Sequence, residues 1–209
     1  MTSDIIAIDG PAGSGKSTVA HALAHRLGWS VLDTGAMYRA LTVEVMRRGL
    51  DVHDVAAVAQ VARECEIHTR PRVSINGRDV TDEIRTDPVN RAVSVVASNP
   101  EARAAMVQRQ RAVADEEPGG LVAEGRDITT VVFPAARVKV FLTASLEERS
   151  RRRGDEGSES VARRDHIDSS REVSPLRQAE DALVLDTTSM SVERVVEEIV
   201  RCLKSSTSN

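Results

Sequence analysis

One short segment of the chain combines glycine, lysine and serine at a spacing that suits phosphate binding. Residues 10–17 read GPAGSGKS and fit the pattern G-x-x-x-x-G-K-[S/T] at every fixed position, between a predicted strand and a predicted helix. Glycines let successive backbone N–H groups turn towards phosphate oxygens, and the positive end of the following helix strengthens the attraction. We therefore expect Lys16 to reach the β and γ phosphates of a nucleotide and the Ser17 hydroxyl to bind Mg²⁺.

This loop does not determine what happens to the nucleotide, because kinases, GTPases and motor ATPases share it. The chain contains neither the guanine-reading motif N-K-x-D nor any D-x-x-G, so a GTPase switch is disfavoured. Phosphoryl transfer requires positive charge around the transferred group and exclusion of water. A small chain with an internal insert and an arginine-rich segment therefore favours a kinase.

Arginines recur at helical spacing in the second half of the chain. Arg149, Arg152 and Arg153 lie three or four residues apart, on one predicted helical face, and begin a charged stretch that continues to Arg171. We interpret residues 149–171 as a candidate lid over the phosphates, and a solvated charged surface is the alternative.

An acceptor that itself carries phosphate would need further arginines, because the guanidinium fork suits bidentate phosphate contacts. The sequence offers them in three short runs: Tyr38-Arg39, Gly125-Arg126-Asp127, and Arg164 to Arg171 with Asp168 between. Surface salt bridges explain each run equally well by itself. Together with the glycine-rich loop, the runs favour a phosphate-bearing acceptor.

The elements that must position these residues alternate between strand and helix. Strands are predicted at 5–9 and 29–33, and helices at 16–27 and 36–48, the helices ending at Gly28 and Gly49. This alternation is typical of a parallel sheet covered by helices on both faces.

The middle of the chain departs from this alternation. Residues 72–81 alternate around Asn76-Gly77, a strong signal for a two-residue hairpin, and so predict an inserted subdomain. Further predicted elements are an amphipathic segment at 54–64, helices at 88–97, 100–114 and 191–203, and strands at 120–123, 138–143 and 183–186.

Composition narrows the class of partner. The 209 residues are 41% hydrophobic and 29% charged, as in a globular domain, with a net charge of −4 and few aromatic side chains. Nucleic acid is not an expected partner, since a basic field and aromatic stacking surfaces are missing. No apolar run approaches the about 18 residues of a membrane span, and we expect a cytoplasmic protein with Cys65 and Cys202 as reduced thiols.

Four longer runs together resemble the bacterial cytidylate kinase family, over residues 5 to about 203. These runs are LDTGAMYRA (32–40), DVTDEIRTDPV (79–89), EGRDITTVVFP (124–134) and SSREVSPLRQAEDALVLDTT (169–188). The resemblance implies an α/β fold, namely the three-layer sandwich of phosphate-binding-loop NTPases with a five-stranded parallel sheet. It implies a core ATP-binding domain of 1–33, 119–153 and 172–209, a nucleoside-monophosphate domain of 34–118 with an antiparallel three-stranded insert around 67–84, and a lid of 154–171.

The activity that the resemblance implies is ATP-dependent phosphorylation of CMP and dCMP to CDP and dCDP. The implied cytosine contacts are Ser94, Arg103 and Asp127; the implied phosphate contacts are Arg39, Arg126 and Arg171; the implied ribose contacts are Tyr38, Arg164 and Asp168, with Thr34 beside the substrate. The implied ATP contacts are Gly10, Pro11, Ala12, Gly13, Ser14, Gly15, Lys16, Ser17 and Thr18, together with Arg149, Arg152 and Arg153. We expect catalysis to rest on Lys16, Arg126, Asp127 and Arg171.

The chemistry of cytosine makes sense of Asp127. A carboxylate accepts a hydrogen bond from the exocyclic amino group of cytosine, whereas uracil presents a carbonyl there that an ionised carboxylate repels. Asp33, at the end of the second predicted strand, either holds a Mg²⁺-bound water or caps the next helix.

One departure from the family pattern lies between Arg153 and Arg164, where the segment is several residues shorter than in many members and rich in Gly and Ser. Two alternatives stay open at this point: a kinase of another small metabolite such as shikimate or gluconate, and an ATP-binding regulatory module. A monomer is expected for a chain of this size that opens and closes around its substrates.

Overall fold

The computed structural model describes residues 4–154 and 157–206. The chain divides into two compact units: one comprises Met1–Leu32 and Val113–Asn209, as far as they are described, and the other comprises Asp33–Ala112. Two residues of the predicted lid, Asp155 and Glu156, lie outside the described residues. The domain boundaries given above, including a separate lid, stay a prediction.

A five-stranded sheet organises the first unit. Its strands are β1 (Ile5–Asp9), β2 (Ser30–Asp33), β6 (Leu121–Gly125), β7 (Val138–Thr143) and β8 (Leu183–Asp186), in the order β2-β6-β1-β7-β8. Strand β1 is central and runs parallel to β6 and β7, with Asp9 in register with Gly125 and Phe141. The carboxyl ends of these strands therefore meet at one edge of the sheet, from which the glycine-rich loop and the Arg126-Asp127 segment both leave.

The helices of this unit are α1 (Lys16–Leu27), α6 (Leu146–Arg153), α7 (Gly157–Ser170) and α8 (Val192–Ser205). Alternate β1 residues such as Ile6 and Ile8 pack with Leu23 of α1 and Ile199 of α8 in one hydrophobic core. Because apolar residues recur on one side of α1 and of α8, both helices bury that side against the sheet. The aliphatic core thus fixes the start of α1, where phosphate binding is predicted.

The second unit contains α2 (Thr34–Arg47), α3 (Val55–Glu64), α4 (Asp87–Val96) and most of α5 (Pro100–Glu116), with a 3₁₀ turn at Glu83–Arg85. Its small antiparallel sheet has three strands, β3 (Ile67–His68), β4 (Ser74–Ile75) and β5 (Arg78–Asp79). Asn76 and Gly77 both have positive φ, as a two-residue hairpin turn of type I′ requires. The five-stranded parallel sheet and the three-stranded insert are both confirmed.

Several predicted boundaries were wrong by one or two residues for local reasons. Helix α2 begins at Thr34 instead of residue 36, because the Asp33 carboxylate accepts a hydrogen bond from the backbone N–H of Ala36 at 2.8 Å and caps it. Strand β2 begins at Ser30 because the N–H of Trp29 is used by the carbonyl of Ala24 at the end of α1.

The π-helical turn after β6 had no counterpart in the prediction. Residues Ile128–Val132 form a turn of π-helix directly after the Arg126-Asp127 pair. Sequence periodicity gives no signal for a single π turn, because tertiary contacts hold it in place.

Candidate active site

The glycine-rich loop connects β1 to α1 and is shaped by contacts that only glycine permits. A Cβ at Gly10 would collide with the carbonyl oxygen of Leu142. Gly13 has φ +78° and lies against the backbone of Arg149, so a side chain there would be both strained and blocked. The loop therefore presents its backbone at the N-terminus of α1, a geometry suited to phosphate.

Lys16 is buried at the start of α1, and its Nζ donates a hydrogen bond to the carbonyl oxygen of Pro11 at 2.8 Å. Burial, followed by repulsion from Arg126, lowers the pKa of Lys16 to about 7, although the carboxylates of Glu124, Asp9 and Asp168 oppose the shift. Burial disfavours the charged form of this amine, and a nearby phosphate would stabilise that charged form.

Three side chains hold the loop from its outer side through its carbonyl oxygens. Arg149 Nη1 donates to Ala12 at 3.1 Å, Arg152 Nη1 to Gly13 at 3.4 Å, and the Thr187 hydroxyl to Ser14 at 3.0 Å. The same Arg149 nitrogen pairs with Asp165 on α7, whose carboxylate also accepts from the N–H of Ala12 at 3.3 Å.

In this structure Arg149 and Arg152 thus bind the loop itself. Contact of Arg149, Arg152 and Arg153 with ATP phosphates stays a prediction. The bracing role of Thr187 was missed, and a signal for it existed: the residue follows β8, whose carboxyl end lies at the same edge of the sheet as the loop.

A pocket of about 470 Å³ opens beside the loop. Its lining includes Ser14, Gly15 and Thr18 of the loop and first helical turn, Arg152 of α6, and residues 187–192. This volume falls in the range of small-ligand sites, and the sequence analysis did not single out most of its lining.

A charged cluster lies at the same edge of the sheet. The Asp168 carboxylate accepts a hydrogen bond from Arg126 Nε at 2.7 Å and pairs through its other oxygen with Arg171. Burial opposes ionisation of Asp168, but attraction to Arg126 and Arg171 outweighs it and holds the pKa of Asp168 below its ordinary value. Arg164, one helical turn before Asp168 on α7, is buried as well.

Asp127 is buried. In the chain it lies between Arg126 of this cluster and the π turn that begins at Ile128. The next two backbone N–H groups, of Ile128 and Thr129, both donate to the carboxylate of Asp9, as does the Thr129 hydroxyl. Burial raises the pKa of Asp9 although these hydrogen bonds oppose the shift. The sequence analysis missed Asp9, and its signal was an acidic residue that ends an apolar strand.

The remaining predicted substrate contacts belong to the second unit. Thr34, Tyr38 and Arg39 lie on α2, and Arg39 Nη1 donates to Asn90 at 2.6 Å and to the carbonyl of Ile84 at 2.8 Å.

Ser94 is buried on α4 and Arg103 on α5. The Arg103 guanidinium stacks over the Tyr38 ring at 5.3 Å from its centroid and donates to the carbonyl of Ala97. The structure therefore brings Tyr38 and Arg103 together, as it does Arg126, Asp168 and Arg171.

A divalent cation would find one protein ligand at the loop, the half-buried hydroxyl of Ser17 in the first turn of α1. Within residues 4–154 and 157–206, no three His, Cys, Asp or Glu side chains are grouped so as to hold a metal by themselves. This donor set suits Mg²⁺, which keeps several waters and takes most of its other ligands from phosphates. Asp33, the second predicted contact, caps α2 in this structure.

Comparisons with known proteins agree over nearly the whole chain. A family model described as cytidylate kinase matches residues 6–205. A cytidylate kinase of Geobacillus kaustophilus is 51% identical over 93% of this chain and 94% of its own length. A cytidylate kinase of Mycobacterium leprae is 46% identical over 98% of this chain and 97% of its own length.

Among solved structures, one from Thermus thermophilus matches with a TM-score of 0.50 and 22% identity, covering 96% of this chain and 98% of that one. This similarity supports the fold. Among the described residues, no helix is both long and apolar enough to cross a membrane.

Proposed function

Since the chain belongs to the cytidylate kinase family and phosphorylates CMP and dCMP with ATP, we propose a role in that reaction for each residue group described above. The first unit binds ATP: the loop's backbone N–H groups and Lys16 hold the phosphates, and the adenosine occupies the pocket beside the loop. The buried position of Lys16 at the N-terminus of α1 supports this assignment most directly.

The acceptor is already an anion, so the reaction needs positioning and neutralisation of charge instead of a strong general base. Arg126 and Arg171 neutralise the phosphates around the transferred group, and Asp168 holds both guanidiniums in place. Arg164 and Asp168 contact the ribose. Lys16 stabilises the charge that develops on the transferred phosphoryl group.

In the second unit, Thr34 lies beside the substrate, Arg39 binds the CMP phosphate, Tyr38 contacts the ribose, and Ser94 and Arg103 bind cytosine. Stacking against Tyr38 and the bond to Ala97 hold the Arg103 guanidinium in a fixed orientation, which supports directional recognition of a base.

Use of ATP by this family implies a divalent metal ion. We propose Mg²⁺, held by the Ser17 hydroxyl and the nucleotide, with Asp33 as a water-mediated contact. The ion would neutralise phosphate charge. We also propose that the enzyme acts as a monomer in the cytoplasm, where its nucleotide substrates are found.

Substitution of Asp127 tests the proposed recognition of cytosine most directly. A neutral amide keeps one carbonyl oxygen as an acceptor and replaces the other carboxylate oxygen by an NH₂ donor, so Asp127→Asn weakens the hydrogen bond from the cytosine amino group and allows donation to the uracil carbonyl. We expect kcat/KM for CMP to fall by on the order of tenfold or more and the loss for UMP to be much smaller. Equal losses for CMP and UMP in steady-state assays would refute base recognition by this carboxylate.

A further inference from the structure

The carboxylate of Asp9 makes hydrogen bonds that the mechanism above does not use. Asp9 ends β1 and is fully buried. Its Oδ1 accepts from the N–H of Ile128 at 2.9 Å, and its Oδ2 accepts from the N–H and the hydroxyl of Thr129 at 2.7 and 2.6 Å. Backbone N–H groups can only donate, so both Asp9 oxygens act as acceptors in these bonds.

This arrangement fixes both ends of a two-residue segment. Before it, Gly125 is the last residue of β6, in register with Asp9 itself. After it, Ile128 and Thr129 are held by the Asp9 carboxylate. Between these anchors lie only Arg126 and Asp127, and the Asp127 carbonyl is fixed as well, since it accepts from Val131 and Val132 at 2.8 and 3.1 Å.

No Lys or Arg among the described residues forms an ion pair with Asp9, and burying a carboxylate without such a pair is costly, whereas an apolar residue at the end of β1 would avoid that cost. Here the carboxylate satisfies the N–H groups of a π turn, an arrangement that often marks a functional site. The backbone on either side of the proposed base-reading residue is thereby held rigid.

We propose that Asp9 and the Thr129 hydroxyl form a positioning pair that orients Arg126 and Asp127, and that this pair sets the preference for CMP over UMP without contacting either nucleotide. The proposal rests on the proposed recognition of cytosine by Asp127. Asp9 also adjoins the phosphate-binding loop, so Thr129 is the better residue to change.

The chain offers a matched control one residue away. The Thr130 hydroxyl is also buried in the π turn, and within the described chain it has no hydrogen-bond partner. Thr129→Val and Thr130→Val each replace a hydroxyl group by a methyl group, but only Thr129→Val removes a hydrogen bond to Asp9. Thr129→Ser keeps that hydroxyl and tests whether the bond itself matters.

The first measurement is steady-state kinetics with CMP and UMP at saturating ATP. We expect Thr129→Val to lower the CMP to UMP ratio of kcat/KM several-fold, up to about tenfold for the loss of one hydrogen bond, with the KM for ATP unchanged. Thr129→Ser and Thr130→Val should stay within about twofold of the parent enzyme, the usual effect of changes away from such contacts. An unchanged ratio in Thr129→Val, or a Thr129→Ser enzyme as impaired as Thr129→Val, would overturn the proposal.

The second measurement, amide hydrogen exchange of the free enzyme, does not depend on base recognition. We expect faster exchange over residues 126–129 in Thr129→Val and exchange like that of the parent in Thr130→Val. Unchanged exchange in Thr129→Val would refute the positioning role even if Asp127 reads the base. If exchange accelerates but neither Thr129→Val nor Asp127→Asn alters the CMP to UMP ratio, base recognition by Asp127 fails, and with it the link to selectivity.

Discussion

At the residue scale, the site concentrates charge where burial makes charge costly. Lys16 loses solvation at the start of α1, which lowers its pKa to about 7, whereas Asp168 keeps a lowered pKa because two arginines surround it. Both states suit the proposed roles, in which the amine gains a charged partner when ATP binds and the arginines are aligned before CMP binds.

Replacement of Lys16 by methionine separates function from stability. We expect Lys16→Met to lower kcat about a hundredfold or more, because a preorganised donor to the transferred phosphoryl group is lost. We also expect it to raise the melting temperature of the nucleotide-free protein. The unfolded amine binds a proton below about pH 10.4, whereas the folded amine binds one only below about pH 7, so protonation favours unfolding.

The pH dependence gives this prediction its control. The stabilisation by Lys16→Met should be full below pH 7 and should decline as the pH rises towards 10, which thermal melts at pH 6.5 and pH 10 can measure. A variant that is no more stable than the parent at pH 6.5, or a variant with near-normal turnover, would contradict the assignment.

The residues proposed to contact phosphate were easier to predict than the residues that hold them in place. Gly10, Lys16 and Ser17 belong to a spacing that phosphate chemistry dictates, so the pattern alone points to them. Asp9 and Thr187 act through backbone groups of distant segments, the π turn and the loop. Sequence spacing does not reveal such partners, because strand pairing brings residues together that are far apart in the chain.

At the element scale, the phosphate-binding loop depends on two neighbouring elements for its shape. Helix α6 and the segment after β8 supply the donors to the carbonyl oxygens of Ala12, Gly13 and Ser14. These bonds tie the loop's carbonyl oxygens to its neighbours and fix the loop's backbone conformation. The loop is therefore preorganised before nucleotide binds.

Removing the Thr187 hydroxyl should loosen this brace. The hydroxyl donates to Ser14 and accepts from Arg152 Nη1 at 3.0 Å, so Thr187→Val breaks contacts to both the loop and α6. We expect the KM for ATP to rise by on the order of tenfold with little change in the KM for CMP, as titrations of each substrate can show. Thr187→Ser should behave like the parent enzyme, and a Thr187→Val enzyme with unchanged ATP kinetics would contradict the brace.

Elements whose conformation depends on neighbouring residues in the sequence were predicted correctly. Asn76-Gly77 marked the hairpin because both residues tolerate the positive φ of a type I′ turn. The π turn at Ile128–Val132 had no such signal, since bonds to Asp9 from across the sheet stabilise it. The start of α2 was predicted two residues late, because the Asp33 carboxylate caps the helix and lets it begin at Thr34.

At the scale of the whole molecule, the sequence predicted the architecture better than it predicted the contacts. Alternation of strand and helix predicted a parallel sheet, and the family resemblance carried by four sequence runs implied its five strands; the structure and the comparisons confirm both. The predicted substrate contacts are divided between two compact units, and each unit contains some that contact one another: Arg126 with Asp168 in the first, and Tyr38 with Arg103 in the second. Which nucleotide such groups bind follows from their chemistry, and acceptor assays decide it most directly.

The measurement that tests the central claim most directly is ADP release from ATP and Mg²⁺ with CMP, dCMP, UMP, AMP, shikimate and gluconate supplied as separate acceptors. The structure and the family predict fast release with CMP and dCMP and little with UMP or the other acceptors, since the proposed base contacts match cytosine. Fast release with shikimate, gluconate or AMP but not with CMP, or release that does not depend on any acceptor, would contradict the account.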